Sequence, residues 1–236
     1  MRSRMSIERV QQSLELVRQR IADAAHRVGR SPDEITLVGA TKGQPIDAIK
    51  AAVEAGLTYL GESKVQEALQ KKPQLPEHVV WHMIGHLQRN KAQKAIELFD
   101  MIESVDSERI AVEISRRCQA AGKVMEVLLE VNVGDEWSKT GASSSDVVEL
   151  ARLCSGLGGI RVVGIMVIPP FEPDPEDSRP YFREARDLLE ALGKMEGVGP
   201  DIHHLSMGMS HDYAIAVEEG ATIVRVGTAI FGPRYG

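Results

Sequence analysis

Lys42 ends the run ITLVGATK, in which the β-branched Ile35, Thr36 and Val38 lead into Gly39 and Ala40. Such a run, at 35–41, reads as a strand buried on both faces, and Gly43 and Pro45 break it before a helical pattern begins. Lys42 therefore stands at the carboxyl end of the first strand of a βα unit, the end at which barrel enzymes assemble their sites. A lysine there is either a solvated charge able to neutralise a phosphate or an amine held for carbonyl chemistry. Two later loops bear on that choice. SMGMSHD at 206–212 carries Ser206, Gly208 and Ser210 just ahead of a helical pattern, and RVGTAIFG at 225–232 carries Gly227 and Thr228. Backbone N–H groups at a helix start favour an anion, and small residues let the backbone approach a ligand closely. Singly, each loop reads as a tight turn with a serine cap; together, after the last two strands, they read as the phosphate site of a barrel. Arg225 lies between Val224 and Val226 inside the last strand and must find a partner. Either it pairs with a barrel carboxylate such as Glu62 or Glu130, or it donates to a ligand. Asn132, closing the fifth strand, is a donor to a ring oxygen or a strand-ending turn residue. Lys139, in WSKTG, is a solvated charge or a second phosphate contact. An amine, an anion site and an arginine between them suit a cofactor with an aldehyde, a phosphate and a ring. Pyridoxal phosphate has all three.

The elements that must position these residues follow a βα rhythm. Ser6 caps a first helix, whose apolar stripe (Val10, Leu14, Val17, Ile21, Ala25, Val28) stops at Gly29. This helix is an addition to the repeating unit, expected as a plug across one end of a barrel. Strands are expected at 35–41, 58–61, 79–84, 101–105, 125–132, 161–167, 202–206 and 222–226, with helices at 45–55, 63–71, 88–98, 107–121, 144–155, 180–195 and 210–219. Alternation predicts a parallel sheet, and eight strands predict a closed (β/α)8 TIM barrel. No shift in composition marks a second domain, so residues 1–236 read as one cofactor-binding barrel domain, with 1–30 its N-terminal helix and 31–236 the barrel. The proline-rich acidic loop at 169–180 reads as an extended, solvated segment.

Composition narrows the classes. A net charge of −6 argues against a general nucleic-acid binder, and no apolar run reaches the length of a membrane span. The N-terminus shows no secretory signal, and Met5 is an alternative start. Cys118 and Cys154 lie in separate helical patterns and read as reduced buried thiols of a cytoplasmic protein. His82, His86, His203 and His204 lie near strand ends without the spacing of a metal set, so no metal is expected. Trp81 and Trp137 read as packing residues.

The segments VGATK, GESKVQEA, WHMIGHLQRNK, VNVGDEWSKTG, RPYFREARDL and LSMGMSHDYAIAVEEGATIVRVGTAIFG span most of the chain. In that order they resemble the pyridoxal 5′-phosphate homeostasis protein family, whose fold is similar to the N-terminal barrel of alanine racemase, a type III cofactor fold. The resemblance implies that Lys42 carries the cofactor as an internal aldimine and that Arg225 faces the pyridine nitrogen. It also implies that the 206–210 loop, Ser206 foremost, holds the phosphate with Gly227 and Thr228. One departure stands out: Ser63-Lys64 replaces the family's usual Asn-Tyr, so a cofactor-side contact from that Asn is lost or replaced. The function implied is intracellular buffering and delivery of the cofactor, with cofactor-dependent apoenzymes as recipients, in a monomer or weak dimer that is not an efficient enzyme.

Two other functions compete. A racemase of the alanine racemase type needs a second base on the far face of the cofactor, which that enzyme takes from an added β-domain of its partner chain. This sequence ends directly after the barrel. Of its four tyrosines, Tyr59, Tyr181, Tyr213 and Tyr235, only Tyr213 is placed near the site, and packing is the simpler reading for it. A sugar-phosphate aldolase using Lys42 would show substrate turnover and no bound chromophore.

Overall fold

The structure is a computed structural model that describes residues 7–134, 141–198 and 201–233. Ser6, Trp137, Lys139 and Tyr235, each considered above, lie outside the described residues. Eight strands close a parallel barrel in chain order: β1 Thr36–Ala40, β2 Tyr59–Glu62, β3 Val80–Met83, β4 Met101–Val105, β5 Met125–Val131, β6 Ile160–Val167, β7 His204–Ser206 and β8 Ile223–Val226. β8 pairs with β1, with Val38 opposite Arg225, so the first and last strands meet at the seam that carries both Lys42 and Arg225. The expected (β/α)8 barrel is the observed fold.

The helices are α1 Ile7–Arg27, α2 Ile46–Glu54, α3 Val65–Lys71, α4 Ala92–Leu98, α5 Glu108–Ala120, α6 Asp146–Ser155, α7 Arg179–Gly193, α8 Tyr213–Glu218 and α9 Thr228–Phe231. Three expectations are corrected. The first helix is not a plug across a barrel end. Its buried stripe Val10, Leu14, Val17 and Ile21 packs beside α2, α8 and α9 on the outer layer, over the β8–β1 seam. Arg30, just beyond Gly29 (φ 71°), fixes it by donating to the carbonyls of Val217 and Ala221 at 2.9 Å. The segment after β6 is not extended throughout: Pro175–Ser178 forms a 3-10 turn capped by the Asp174 carboxylate, which accepts from the Glu176 N–H. The helix expected from 210 starts only at Tyr213, because the Asp212 carboxylate accepts from the Met209 N–H at 2.7 Å and folds 209–212 into a turn.

Two cores result. The larger lies between barrel and helices and includes Trp81, Phe182 and Phe231; the smaller fills the barrel with Val38, Met101, Leu128, Val163, Met166 and Ile223. Cys118 on α5 and Cys154 on α6 are free and buried, and burial pushes the Cys154 thiol up to about 12. On α7, Arg179, Arg183 and Arg186 all reach Glu219, which ties that helix to the end of α8.

β6 and β7 come together through Gly164, where an added Cβ would sit 1.8 Å from the His204 carbonyl oxygen. Gly164→Ala should therefore cost about 1–3 kcal/mol, the range for overpacking. Urea unfolding followed by circular dichroism measures it, and an unchanged midpoint would mean that the two strands part freely.

Candidate functional site

Lys42 follows β1, and both of its neighbours are fixed. The Thr41 N–H donates to the Gly61 carbonyl at 2.9 Å and its hydroxyl to Glu62 Oε1 at 2.6 Å, while the Gly43 N–H donates to Glu67 Oε2 at 2.9 Å. Lys71 completes the clamp, donating to the Thr41 carbonyl and to both carboxylates at 2.5–2.9 Å. Burial raises the Glu62 pKa against the pull of Lys71 and Thr41. For Glu67, burial acts in the same direction, but the Gly43 N–H and Lys71 outweigh it and its pKa is lowered. The Lys42 ammonium itself has no hydrogen bond or ion pair among the described residues. A clamped backbone thus presents an unpartnered amine, which is what a covalent anchor requires.

Arg225 points into the barrel and is almost fully buried. Its Nη1 donates to Ser206 Oγ at 2.6 Å and its Nη2 to the Val167 carbonyl at 2.9 Å. The Ser206 hydroxyl donates onward to Glu103 Oε2 at 2.5 Å, and the other oxygen of Glu103 meets His82 Nδ1 at 2.6 Å. Arg225, Ser206, Glu103 and His82 therefore form one buried chain across the barrel. Burial opposes ionisation of Glu103, but His82, Arg225 and Ser206 outweigh it and its pKa is lowered. Burial likewise pulls the Arg225 pKa down, opposed by the charges of Glu103, Glu130 and Asp212. Of the carboxylates considered as partners of Arg225, Glu62 faces the helix layer and serves Lys71. Glu130 acts through its charge, and the hydrogen-bonded link is to Glu103, which the sequence did not single out.

After β8, the N–H groups of Gly227 and Ala229 both donate to Ser210 Oγ at 3.1 Å. The Thr228 N–H between them has no partner among the described residues. A Cβ on Gly227 would come within 3.2 Å of the Ala40 carbonyl oxygen, so this turn lies close against the end of β1. A cavity of about 280 Å³ gathers Lys42, Gln44, Ser210, Arg225, Gly227 and Thr228. Five of the seven expected site residues thus meet in one place. Ser206 does not line the cavity, because its hydroxyl is engaged inside the barrel. Asn132, just past β5, is also absent from the lining; its N–H donates to the Ala142 carbonyl. Tyr213 is buried in the outer core. A separate cavity of about 420 Å³ is ringed by Asp106, Glu108, Asp146 and Glu149, whose charges would repel a phosphate.

The residues fit pyridoxal phosphate: a free amine, a cation committed to donate, and a small-residue turn with an open N–H and the Ser210 hydroxyl. Barrel and site together define a class, the alanine racemase N-terminal domain, whose family model matches residues 13–235. Within it, the chain belongs to the pyridoxal phosphate homeostasis protein family. It is 42% identical to the pyridoxal phosphate homeostasis protein of Aquifex aeolicus over 94% of this chain and 96% of that one. Among solved structures it is similar to an unknown protein from Bifidobacterium adolescentis, with a TM-score of 0.90 and 36% identity over 95% of each chain. It is also similar to PipY of Synechococcus elongatus with PLP bound, with a TM-score of 0.79 and 34% identity over 92% of this chain and 100% of that one. No helix among the described residues is long and apolar enough to cross a membrane.

Proposed function

We propose that this chain binds pyridoxal 5′-phosphate at the carboxyl end of its barrel and serves homeostasis of that cofactor, holding and releasing it rather than running a fast reaction on it. The observation that carries the reading is the convergence of Lys42, Arg225 and the Ser210–Gly227–Thr228 turn on one cavity. When bound, the cofactor supplies an aldehyde that condenses with a primary amine and loses water. Lys42 offers that amine from a clamped backbone. Ser210, the Thr228 N–H and the cleft at Gly227 receive the phosphate, and Arg225 donates to the ring nitrogen. Ser206 acts through Arg225, whose orientation it fixes. Asn132, just past β5, ties the end of that strand to Ala142 through its N–H. A cytoplasmic location, service to cofactor-dependent apoenzymes and a monomeric or weakly dimeric state complete the reading.

Borohydride reduction of cofactor-loaded protein, followed by digestion and peptide mapping, tests the anchor. The label should fall on Lys42; a label confined to Lys64 or Lys139 would overturn the assignment. Ser210→Ala tests the phosphate turn. It removes the hydroxyl and leaves the Gly227 and Ala229 N–H groups without their acceptor, so cofactor affinity should fall about tenfold, the equivalent of about 1.4 kcal/mol. Fluorescence titration of the apoprotein reads the change, and unchanged affinity would place the phosphate elsewhere.

A further inference from the structure

A second cavity of about 500 Å³ opens beside the first and shares Lys42, Ser63, Ile84 and Ile168 with it. Its walls are the turn that starts α3 and the segment that follows β3. Those walls are locked together, since a Cβ on Gly85 would lie 2.6 Å from the Ser63 carbonyl oxygen. Its floor is apolar, with Val65, Met83 and Leu87 buried. Its charge is one-sided. The lining includes Lys42, Lys64, Lys91 and His86 and not one carboxylate, although the chain carries 34 acids against 28 lysines and arginines.

Neither the Lys64 nor the Lys91 ammonium has a hydrogen bond or ion pair among the described residues. Glu67 feels the charge of Lys64, but its carboxylate is engaged by Lys71 and the Gly43 N–H. His86 contacts Asp106 at 3.0 Å, and that carboxylate lines the neighbouring acidic cavity instead. Unpaired ammonium groups at the mouth of an apolar lobe raise the local concentration of small anions. We propose that this lobe binds the carboxylate end of a small organic acid of the amino- or oxo-acid class, next to the bound cofactor. The inference rests on the cofactor reading above. Lys42 joins the two cavities, and the Arg225–Ser210 side takes ring and phosphate. The Lys64–Lys91 side is then left for a molecule that approaches the amine. Apolar floor and cationic rim suit a short aliphatic chain ending in a carboxylate.

Succinate is the probe, a dicarboxylate without an amine that cannot compete for the covalent link. Protein with its cofactor fixed to Lys42 by borohydride is titrated calorimetrically, wild type against the Lys64→Gln/Lys91→Gln double variant. The wild type should bind succinate saturably in the millimolar range, and the double variant at least about tenfold more weakly, with equal cofactor loading in both. Equal succinate affinity in the two proteins, or none in the wild type, overturns the proposal. Loss of cofactor loading in the double variant also overturns it, because the lysines would then hold the cofactor itself. Inorganic phosphate is the second titrant, and tighter binding of phosphate than of succinate would make the lobe a phosphate site. Failure of the cofactor reading shows separately, as no label on Lys42. Succinate binding by the unlabelled protein that still depends on Lys64 and Lys91 would then support the lobe alone.

Discussion

Glu103→Ala should cost the barrel about 3–5 kcal/mol, the loss that follows when one partner of a buried ion pair is removed. Glu103 is fully buried, and its two oxygens serve His82 on one side and Ser206 on the other, with Arg225 Nη1 at 3.9 Å. Truncation leaves the guanidinium in the barrel without its linked counter-charge and takes the acceptor from Ser206. Glu103→Gln keeps the shape and one acceptor and should cost less. Both variants should bind the cofactor more weakly, because Arg225 loses its fixed orientation. Urea unfolding measures the first effect and apoprotein titration the second. A loss below about 1 kcal/mol in Glu103→Ala would show that Glu130 and Asp212 already compensate Arg225.

The pH dependence gives this an independent sign. The folded pKa of Glu103 is lowered, so its contribution is fully present above the ordinary glutamate value of about 4.3 and fades as pH falls through the folded value. Glu62 works the other way: its folded pKa is raised, so its cost appears as pH rises from the ordinary value through the folded one. The stability gap between wild type and Glu103→Gln should therefore narrow on acidification, whereas a gap that widened in acid would contradict the lowered pKa.

Alanine racemization and α-proton exchange in heavy water should both stay near the level of the Lys42→Ala blank. Pyridoxal phosphate is a strong electron sink when its ring nitrogen is protonated, which a carboxylate partner promotes. Arg225 is a donor without lone pairs to offer, so a ring nitrogen facing it must accept and stay unprotonated. Ser206 and the Val167 carbonyl hold the guanidinium in place, and its charge persists at any working pH. Tyr213, the tyrosine weighed as a second base and read as packing, is buried in the outer core and does not line the cavity. Lysine-dependent turnover of about 10 per second, ordinary for an enzyme, would replace the homeostasis reading with a racemase.

Much of this was legible along the chain. The β-branched run before Lys42, the strand-interior arginine and the small-residue loops at 206–210 and 227–228 are local features. The βα rhythm fixes which end of the barrel they occupy, because every strand of a parallel barrel points its carboxyl end the same way. What the sequence could not assign was partnership across the barrel. Ser206 and Ser210 look alike in SMGMS, yet one faces the interior of β7 and links Arg225 to Glu103, and the other accepts from the turn after β8. Glu62 and Glu103 both lie in strands, yet strand alternation sends the first outward to Lys71 and the second inward to His82. Ser206 and Glu103 are 103 residues apart and meet only because the closed sheet turns β4 and β7 toward one interior. Residue type and local period determined the fold and the end of the barrel at which Lys42 and the 227–228 turn stand. Strand parity and closure, which act between residues remote in sequence, decided which buried charges meet.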